Sequence, residues 1–578
     1  MRAGVCVFGQ GRVRAFSANQ NFADIRMIGV AVHPTEQDVV GEFFELFKTP
    51  WEFHRNDAEY DVLICTRKQV PQNAAKIILH YSAEAIGSDA AAGLSLKARS
   101  GGRRLIYKGR RIPIYGGAAT FPGSQFAPVV EEDTGEPVTF TGTSGGRSML
   151  RIGYDLFKET NQILNTGQPA ANAGSATLEL HIALLRDLIT KSGLPVVEIP
   201  PVPEKHKFII CLTHDIDHPV LRNHCCDRTM VGFLYRATIG TIINFCCGRK
   251  SLRDLCANWV AALKLPFVYL GVARDFWRGF DRYLEMEAGL GSTYFVVPSK
   301  DYPGRPFAGK VASQRAVRYD VADVRLELQK VISSGGEVGL HGMDAWVDST
   351  QGREECNRVS QTLDATVTGV RMHWLFFDGN SPAVLDQAGF SYDSTIGYNE
   401  TVGYRAGTGQ VYRPPGSVHL LELPLQIMDT ALFYPGYLNL SEPEAERMVW
   451  KLIDGATEFG GALTINWHDR SIAPERLWGG FYLKLLQELK SRGAWFATAA
   501  QTVSWFRKRR SAVVGFAPAE DGKIRIQASV KPDSGSPGLK VRVHKPQTWN
   551  GGGEAPDRSS PSFVDMDLTE TIDTEIQL

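Results

Sequence analysis

Residues 208–218 constrain the fold more than any other stretch of the chain. The run Phe-Ile-Ile-Cys-Leu-Thr is mostly apolar, and it ends abruptly in His-Asp-Ile-Asp-His. A continuous apolar run is typical of a strand buried on both faces of a parallel sheet, and ligands bind at the carboxyl ends of such strands. Asp215 and Asp217 would repel each other there unless a cation or an arginine compensates them. The run therefore predicts a charged site at a sheet edge; the alternative is a helix N-cap or an Asx turn.

The chain from residue 205 to about residue 510 alternates strand patterns with helical patterns. Strand candidates are 292–297, 337–340, 367–370 and 461–465. Helical patterns fill the intervals between them. This alternation predicts an α/β domain built on a parallel sheet or barrel.

The flanking regions differ in character from this central domain. Residues 1–200 contain short strand candidates and one amphipathic helix pattern, which predicts a separate N-terminal α/β domain. A proline-rich connection over 194–203 marks its boundary. Residues 511–578 contain two alternating strand patterns among Gly, Pro and Ser runs, one of them at 550–561, which predicts a small β appendage with a flexible tail.

Composition excludes some classes of protein. With 63 basic and 63 acidic side chains the formal net charge is zero, which argues against a nucleic-acid-binding protein. Nine scattered cysteines, an odd number, fit a reducing compartment rather than a disulfide framework. The first nine residues do not have the pattern of an export signal. Residues 230–247 are the nearest candidate for a membrane span, but Arg236 lies inside them, so a buried or membrane-surface helix is the better interpretation.

Four further clusters of chemically active residues follow strand candidates. His341 follows 337–340, Arg371 and His373 follow 367–370, and His468 follows 461–465. Asp393 follows a shorter candidate. Each residue alone has an ordinary structural explanation, such as a hydrogen-bonded histidine or a turn aspartate. An ordered set at successive strand ends is more specific, because the carboxyl ends of parallel strands meet at one edge of the sheet.

With this set, residues 205–510 resemble the polysaccharide deacetylase family, whose catalytic domain is also called the NodB homology domain. The first family motif, T-x-D-x-D, matches Thr213 to Asp217. The resemblance implies that Asp215 is the catalytic base and that Asp217 is a metal ligand. It implies a distorted (β/α) barrel, and it makes residues 219–290 an insertion between the first two strands.

The other motifs match with substitutions. His341 matches the first histidine of H-x-x-x-H, whereas Ala345 occupies the second position. Arg371 matches the arginine of R-x-P-[YW], which holds the base, with His373 in place of the proline. The resemblance also implies a general acid at the closing L-x-H motif.

His468 matches that acid, although Asn466 stands where leucine is expected. Asp393 is a candidate for orienting His468, with a turn residue as the alternative. Arg405 is a candidate for contacting substrate, or for pairing with an acidic neighbour.

Without the second histidine of the motif, the third protein ligand of the metal is not identified by the motif. A catalytic zinc usually has three protein ligands and a water molecule. We expect His373 to replace the missing ligand beside Asp217 and His341. The alternatives are Asp344 and a weakened or absent metal, which would leave a degenerate domain.

The resemblance implies a metal-dependent hydrolase, with zinc as the expected divalent ion, that removes N-acetyl groups from an amino sugar of a polysaccharide or its lipid-linked precursor. The alternatives are hydrolysis of another non-peptide C–N bond and a non-catalytic carbohydrate-binding or assembly protein. The expected partner is a carbohydrate and not a nucleic acid. We expect a cytoplasmic location, with residues 219–290 as a candidate for peripheral contact with the inner face of the membrane.

Overall fold

The computed structural model describes residues 26–71, 75–91, 93–99, 101–144, 147–308, 312–533, 535–547 and 562–578. The first nine residues and the run 550–561, on which two of the predictions above depend, lie outside the described residues. The chain divides into two compact units. Unit 1 takes its residues from 1–162, 177–200 and 507–578, and unit 2 from 163–176 and 201–506.

The elements are numbered in chain order. The N-terminal segment contains β1 (Ile28–Ala31), α1 (Gln37–Phe47), β2 (Trp51–Phe53), β3 (Val62–Cys65), β4 (Ile77–Tyr81), α2 (Gly87–Ala91), β5 (Lys97–Arg99), β6 (Arg103–Tyr107), β7 (Arg110–Ile114), β8 (Ala118–Thr120), β9 (Val129–Glu131), β10 (Thr139–Ser144), β11 (Arg147–Ile152), α3 (Leu156–Thr166), α4 (Thr177–Lys191) and β12 (Val196–Glu198). The central segment contains β13 (Ile209–Ile216), α5 (Arg228–Tyr235), α6 (Thr241–Cys246), α7 (Leu252–Tyr269), α8 (Phe280–Met286), β14 (Ser292–Val296), α9 (Arg325–Ser333), β15 (Glu337–Gly342), α10 (Ser349–Leu363), β16 (Gly369–Met372), α11 (Ser381–Ala388), β17 (Tyr392–Asp393), β18 (Leu421–Glu422), β19 (Ile427–Met428), α12 (Asp429–Phe433), α13 (Glu442–Phe459), β20 (Ala462–Asn466), α14 (Gly479–Ser491), β21 (Trp495–Phe496) and α15 (Ala499–Ser511). The C-terminal segment contains β22 (Val513–Pro518), β23 (Lys523–Ser529), β24 (Leu539–His544), β25 (Phe563–Leu568) and β26 (Thr571–Gln577).

Unit 2 is built on a nine-stranded parallel sheet in the order β18-β17-β16-β15-β14-β13-β20-β19, with β21 beside β13. All eight residues of the central strand β13 are buried. Helices connect most of these strands, so both faces of the sheet are covered and an almost continuous apolar strand such as β13 is stable there. The parallel α/β architecture predicted for residues 205–510 is confirmed.

The sheet of unit 2 curls strongly. Its two edge strands, β18 and β19, are joined by residues 423–426, and a fully extended chain covers only about 3.5 Å per residue, so the two edges must lie near each other. The connecting residues bond to both sides: Leu423 N–H donates to the carbonyl of Asp393 at 2.8 Å, and Gln426 N–H donates to that of Thr464 at 3.2 Å. The curled sheet therefore forms most of a barrel, although β18 and β19 do not pair directly with each other.

Unit 1 is also mixed α/β. Its largest sheet has the order β10-β11-β4-β3-β1-β2, in which only the β10–β11 pair is antiparallel. The C-terminal strands, predicted to form a small β appendage, belong to the same compact unit as the N-terminal strands, and β24 pairs with β12. Residues 163–176 lie in unit 2 instead of the N-terminal domain. The backbone N–H of Gln168 donates to the carbonyl of Arg405, and the N–H of Tyr404 donates to the carbonyl of Ala173.

Residues 219–290, the predicted insertion, form helices α5 to α8 between β13 and β14. Phe233, Ala237, Leu265 and Val268 are buried together with Trp277 in a small apolar cluster. No helix in the described part of the chain is both long enough and apolar enough to cross a membrane.

A buried carboxylate joins the N-terminal and C-terminal segments of unit 1. Glu198 accepts hydrogen bonds from Arg186 at 2.8 Å and from His544 at 2.9 Å. Burial alone would raise the pKa of Glu198, but Arg186 and His544 lower it to about 2. The ionised carboxylate therefore stabilises the fold above pH 4.5, and this contribution is lost as the pH falls from about 4.5 to about 2.

We expect Glu198→Gln to lower the free energy of unfolding at pH 7 by up to about 3 kcal/mol, because the ion pair is lost. The difference from the wild type should shrink on acidification below pH 4.5. Urea denaturation at pH 7 and at pH 3 measures both effects. An equal difference at the two pH values would contradict this role of Glu198.

Candidate active site

The candidate site lies at the carboxyl edge of the curled sheet. Because the strands are parallel, the side chains at the carboxyl ends of β13, β15, β16 and β20 all reach this edge. Five of the six predicted site residues line one cavity of about 640 Å³, here called the strand-end cavity: Asp215, Asp217, His341, His373 and His468. The sixth, Arg371, does not line the cavity but donates a hydrogen bond to Asp215. The structure thus brings all six residues together.

Asp215 is held by neighbours on two strands. Arg371 donates to its Oδ1 at 3.0 Å, and the side-chain amide of Asn466 donates to its Oδ2 at 2.7 Å. The Asn466 Oδ1 in turn accepts from the backbone N–H of Asp215 at 3.1 Å. Asn466, the departure from the family motif, therefore orients the predicted base.

Arg371 is fully buried and is itself well fixed. Its guanidinium also donates to Thr213 Oγ1 at 2.6 Å and to Ser394, and it stacks on Phe295. Burial alone would raise the pKa of Asp215, but the charges of Arg371 and of the nearby histidines hold it below its usual value. The structure therefore favours an ionised Asp215 at neutral pH.

Asp217, His341 and His373 form a cluster, here called the metal-ligand cluster. One potential ligand atom from each lies within 4.8 Å of the others. The Nε2 atoms of His341 and His373 are 3.4 and 3.6 Å from Asp217 Oδ1. These distances suit ligands that surround an ion better than direct hydrogen bonds.

The hydrogen bonds around the cluster fit a bound cation. His341 Nδ1 lies 2.9 Å from the carbonyl oxygen of Arg371, which can only accept, so this nitrogen carries the proton. Its Nε2 lies 3.4 Å from Asp217 Oδ1, a buried oxygen that has no hydrogen-bond partner among the described residues. Burial lowers the pKa of His373 to about 3, which favours the neutral ring that a metal ligand requires. Imidazole and carboxylate are zinc ligands, so these three side chains fit a shared cation.

Asp344, the alternative third ligand, is directed elsewhere. Its Oδ2 accepts from Tyr302 at 2.5 Å, and its Oδ1 accepts from the backbone N–H of Arg305 at 2.7 Å. Ala345, at the position of the missing histidine, is fully buried against Gly342 and Gly352. The structure therefore brings His373, and not Asp344, to Asp217 and His341.

His468 is oriented by Asp429, a residue that no sequence motif indicates. Its Nδ1 lies 2.6 Å from Asp429 Oδ1, and its Nε2 faces the cavity, 3.9 Å from Asp217 Oδ2. Burial alone would lower the pKa of His468, but Asp429 raises it to about 9. Asp393 does not orient His468; its carboxylate instead accepts from Thr395 and lies beside Glu422.

Asp429 follows β19, which has only two residues, so no periodic pattern pointed to it. Arg405 also lies apart from the strand-end cavity; it donates to the carbonyl of Gly397 at 2.7 Å.

Arg315 connects the segment that follows β15 with the segment that follows β16. Its buried guanidinium donates to the carbonyls of Met343 at 3.0 Å and His373 at 3.1 Å, and it stacks on Phe376. The next residues, Trp374 and Leu375, have φ values of 64° and 53°, which are costly for side chains of this size. Arg315 therefore holds a strained turn that positions His373.

Aromatic side chains surround the mouth of the strand-end cavity. Trp374, Tyr434 and Tyr437 line it, and the two tyrosines are 38% and 42% exposed. Their ring centroids lie 6.0 Å apart. Flat rings with a polar tip can contact a ligand that has both apolar faces and hydroxyl groups.

No family model matches the chain, and no curated protein matches it. Solved structures to which it is similar include the carbohydrate deacetylase Agd3, at 9% identity over 96% of this chain and 99% of that chain, with a TM-score of 0.38. Another is PuuE allantoinase, at 18% identity over 55% and 96% of the two chains, with a TM-score of 0.33. A third is the Xyl-CE4 domain of a multidomain xylanase from the hindgut metagenome of Trinervitermes trinervoides, at 12% identity over 52% and 90%, with a TM-score of 0.22. All three likenesses are distant.

Proposed function

We propose that this chain is a metal-dependent hydrolase that removes N-acetyl groups from an amino sugar of a polysaccharide or of its lipid-linked precursor. One observation carries the proposal: the metal-ligand cluster lies in the same cavity as Asp215, which Arg371 holds, and His468, which Asp429 holds. Three nitrogen and oxygen ligands with space beside them are typical of a catalytic zinc site, so Zn²⁺ is the proposed ion.

In this proposal Asp215 accepts a proton from the attacking water. A divalent ion bound by Asp217, His341 and His373 would polarise the acyl carbonyl and lower the pKa of a water molecule. Arg371 and Asn466 keep the Asp215 carboxylate ionised and in one orientation. A fixed acceptor of this kind is what general base catalysis requires.

His468 donates a proton to the leaving nitrogen. Its Nδ1–H is held by Asp429, so the proton on Nε2 is the one directed into the cavity. Expulsion of an amine from a tetrahedral intermediate needs such a proton, because the unprotonated nitrogen is a poor leaving group. In this proposal Asp215 therefore takes up the proton of the water, and His468 supplies the proton of the leaving amine.

The shape of the strand-end cavity supports a sugar as substrate. Its volume of about 640 Å³ suits a small saccharide segment, and exposed tyrosines lie at its mouth. Release of acetate from N-acetylated amino sugars, free and lipid-linked, tests the proposal with the purified protein loaded with Zn²⁺. Activity only on another C–N substrate would favour the alternative hydrolase.

We expect His373→Ala to lower bound zinc at least tenfold and to reduce acetate release in parallel, because two remaining protein ligands hold the ion poorly. Metal analysis after gel filtration, beside the acetate assay, measures both. His419→Ala, at an exposed position outside the cavity, is the matched control and should keep both properties.

Two results would count against this site. Full zinc content in His373→Ala would mean that His373 is not a ligand. A wild-type protein that binds no stoichiometric divalent ion would favour the non-catalytic carbohydrate-binding alternative.

A further inference from the structure

Exposed apolar side chains are concentrated in one helical hairpin, residues 228–270, which contains α5 to α7. Among the described residues, nineteen large apolar side chains are exposed, and twelve of them lie in this hairpin, with Val272 just after it. Single exposed apolar residues are ordinary on protein surfaces, whereas a contiguous group marks a surface that meets an apolar partner.

The exposed apolar residues of the first helical segment, from α5 to α6, form a stripe. Val231, Tyr235, Ile239 and Ile242 follow each other at intervals of three or four residues and are 42–59% exposed. This spacing places them on one side of a helix. The other side is occupied by buried residues, among them Phe233.

The second helix, α7, has the same arrangement. Leu252, Trp259, Leu263 and Phe267 are 46–74% exposed and share one side. The opposite side carries four buried residues: Asn258, Ala261, Leu265 and Val268. A helix that is apolar on both sides is normally enclosed by protein or lipid, and here one side remains uncovered.

The fully exposed charges on this hairpin are basic, and its one acidic residue, Asp254, is partly buried and bonded to Ser251. Every exposed charged side chain between residues 222 and 274 is basic, in a chain whose formal net charge is zero. These residues are Arg222, Arg228, Arg249, Arg253, Lys264 and Arg274. Basic side chains beside an apolar stripe complement a bilayer surface that carries anionic lipid headgroups.

We infer that the hairpin 228–270 docks on the surface of a bilayer that contains anionic lipids, with its apolar stripes at the headgroup–acyl boundary. Tyr235 and Trp259 are residue types favoured at that depth. The helices lie on the membrane and do not cross it, in agreement with their length and composition. A second copy of the chain is a poorer occupant, because two hairpins with four exposed basic side chains each (Arg228, Arg249, Arg253 and Lys264) would repel.

The hairpin also reaches the neighbourhood of the strand-end cavity. Tyr235, Arg236 and Ile243 line an adjoining cavity together with Arg476, and Arg476 also lines the strand-end cavity. Docking would therefore bring the site close to lipid headgroups. If the proposed function holds, this favours the lipid-linked precursor as substrate.

Vesicle co-sedimentation of the full chain tests the docking. We expect binding to phosphatidylcholine vesicles with about 40% phosphatidylglycerol, and at least tenfold weaker binding to phosphatidylcholine alone, because the basic side chains need anionic partners. The double variant Leu263→Asp, Phe267→Asp should bind at least tenfold more weakly. Arg253→Glu, Lys264→Glu should also bind more weakly and lose most of the salt dependence.

The matched control is Leu326→Asp, Val418→Asp, which changes two equally exposed apolar residues elsewhere in unit 2 and should bind as the wild type does. Circular dichroism melts check that all variants fold. Wild-type protein that does not sediment with either vesicle would overturn the inference, as would equal losses of binding in the control variant.

A second copy of the chain is the alternative occupant. If the wild type is a dimer that Leu263→Asp, Phe267→Asp converts to a monomer, and neither binds vesicles, the surface is assigned to a second copy. Acetate release from a soluble substrate should be unchanged in the hairpin variants, so failure of docking and failure of the proposed function are distinguishable.

Discussion

Asp215→Asn is expected to reduce acetate release by about 10³-fold at saturating substrate, because the amide cannot accept the proton of the attacking water. The substitution preserves the size of the side chain, and its oxygen can still accept from Arg371. Zinc content should stay at the wild-type level, since Asp215 is not part of the metal-ligand cluster. Steady-state acetate release beside metal analysis measures the two properties separately.

Asp217→Asn is the matched variant, two residues along the chain and of the same chemistry. It should lose zinc as well as activity, because an amide oxygen is a much weaker ligand than a carboxylate. This contrast separates a proton acceptor from a metal ligand. More than a tenth of wild-type activity in Asp215→Asn would exclude Asp215 as the base.

Arg371→Met is expected to destabilise unit 2 by about 3–5 kcal/mol, because it leaves the Asp215 carboxylate buried without its positive partner. Both side chains are almost inaccessible to water, with exposures of 0% and 4%. The arginine also bonds to Thr213 and Ser394, so the change leaves several buried acceptors unsatisfied. Urea denaturation at pH 7 measures the effect.

The double variant Arg371→Met, Asp215→Asn is the control for this argument. Removing both charges should restore part of the lost stability, because the uncompensated carboxylate is gone. A double variant as unstable as the sum of the two single variants would show that the charge pair is not the source of the cost. Arg353→Met, at an exposed arginine of α10, should change stability little.

Several substitutions in the candidate site became interpretable only from contacts. Asn466 looked like a departure from the motif, and it holds the Asp215 carboxylate. His373 stands where the motif has a proline, and it reaches Asp217 because the chain turns at Trp374, just after β16. The sequence shows such a substitution, but the direction in which the new side chain points depends on the backbone conformation.

The amino-acid pattern is sufficient to predict the parallel α/β character of residues 205–510 and the residues at the carboxyl edge of the sheet. The reason is physical: strand periodicity and the strand–helix alternation place the last residues of parallel strands at one edge whatever the loops do. The pattern therefore gives the positions of Asp215, Arg371 and His468, and the family resemblance implies their roles.

The side chains that support these residues depend on long-range contacts. Asp429 bonds to His468 across 39 positions, Arg315 joins two loops, and β24 pairs with β12 across more than 340 residues. Such partners come from short strands and irregular loops, which carry no periodic signal, and they meet only when the sheet curls and the chain closes on itself.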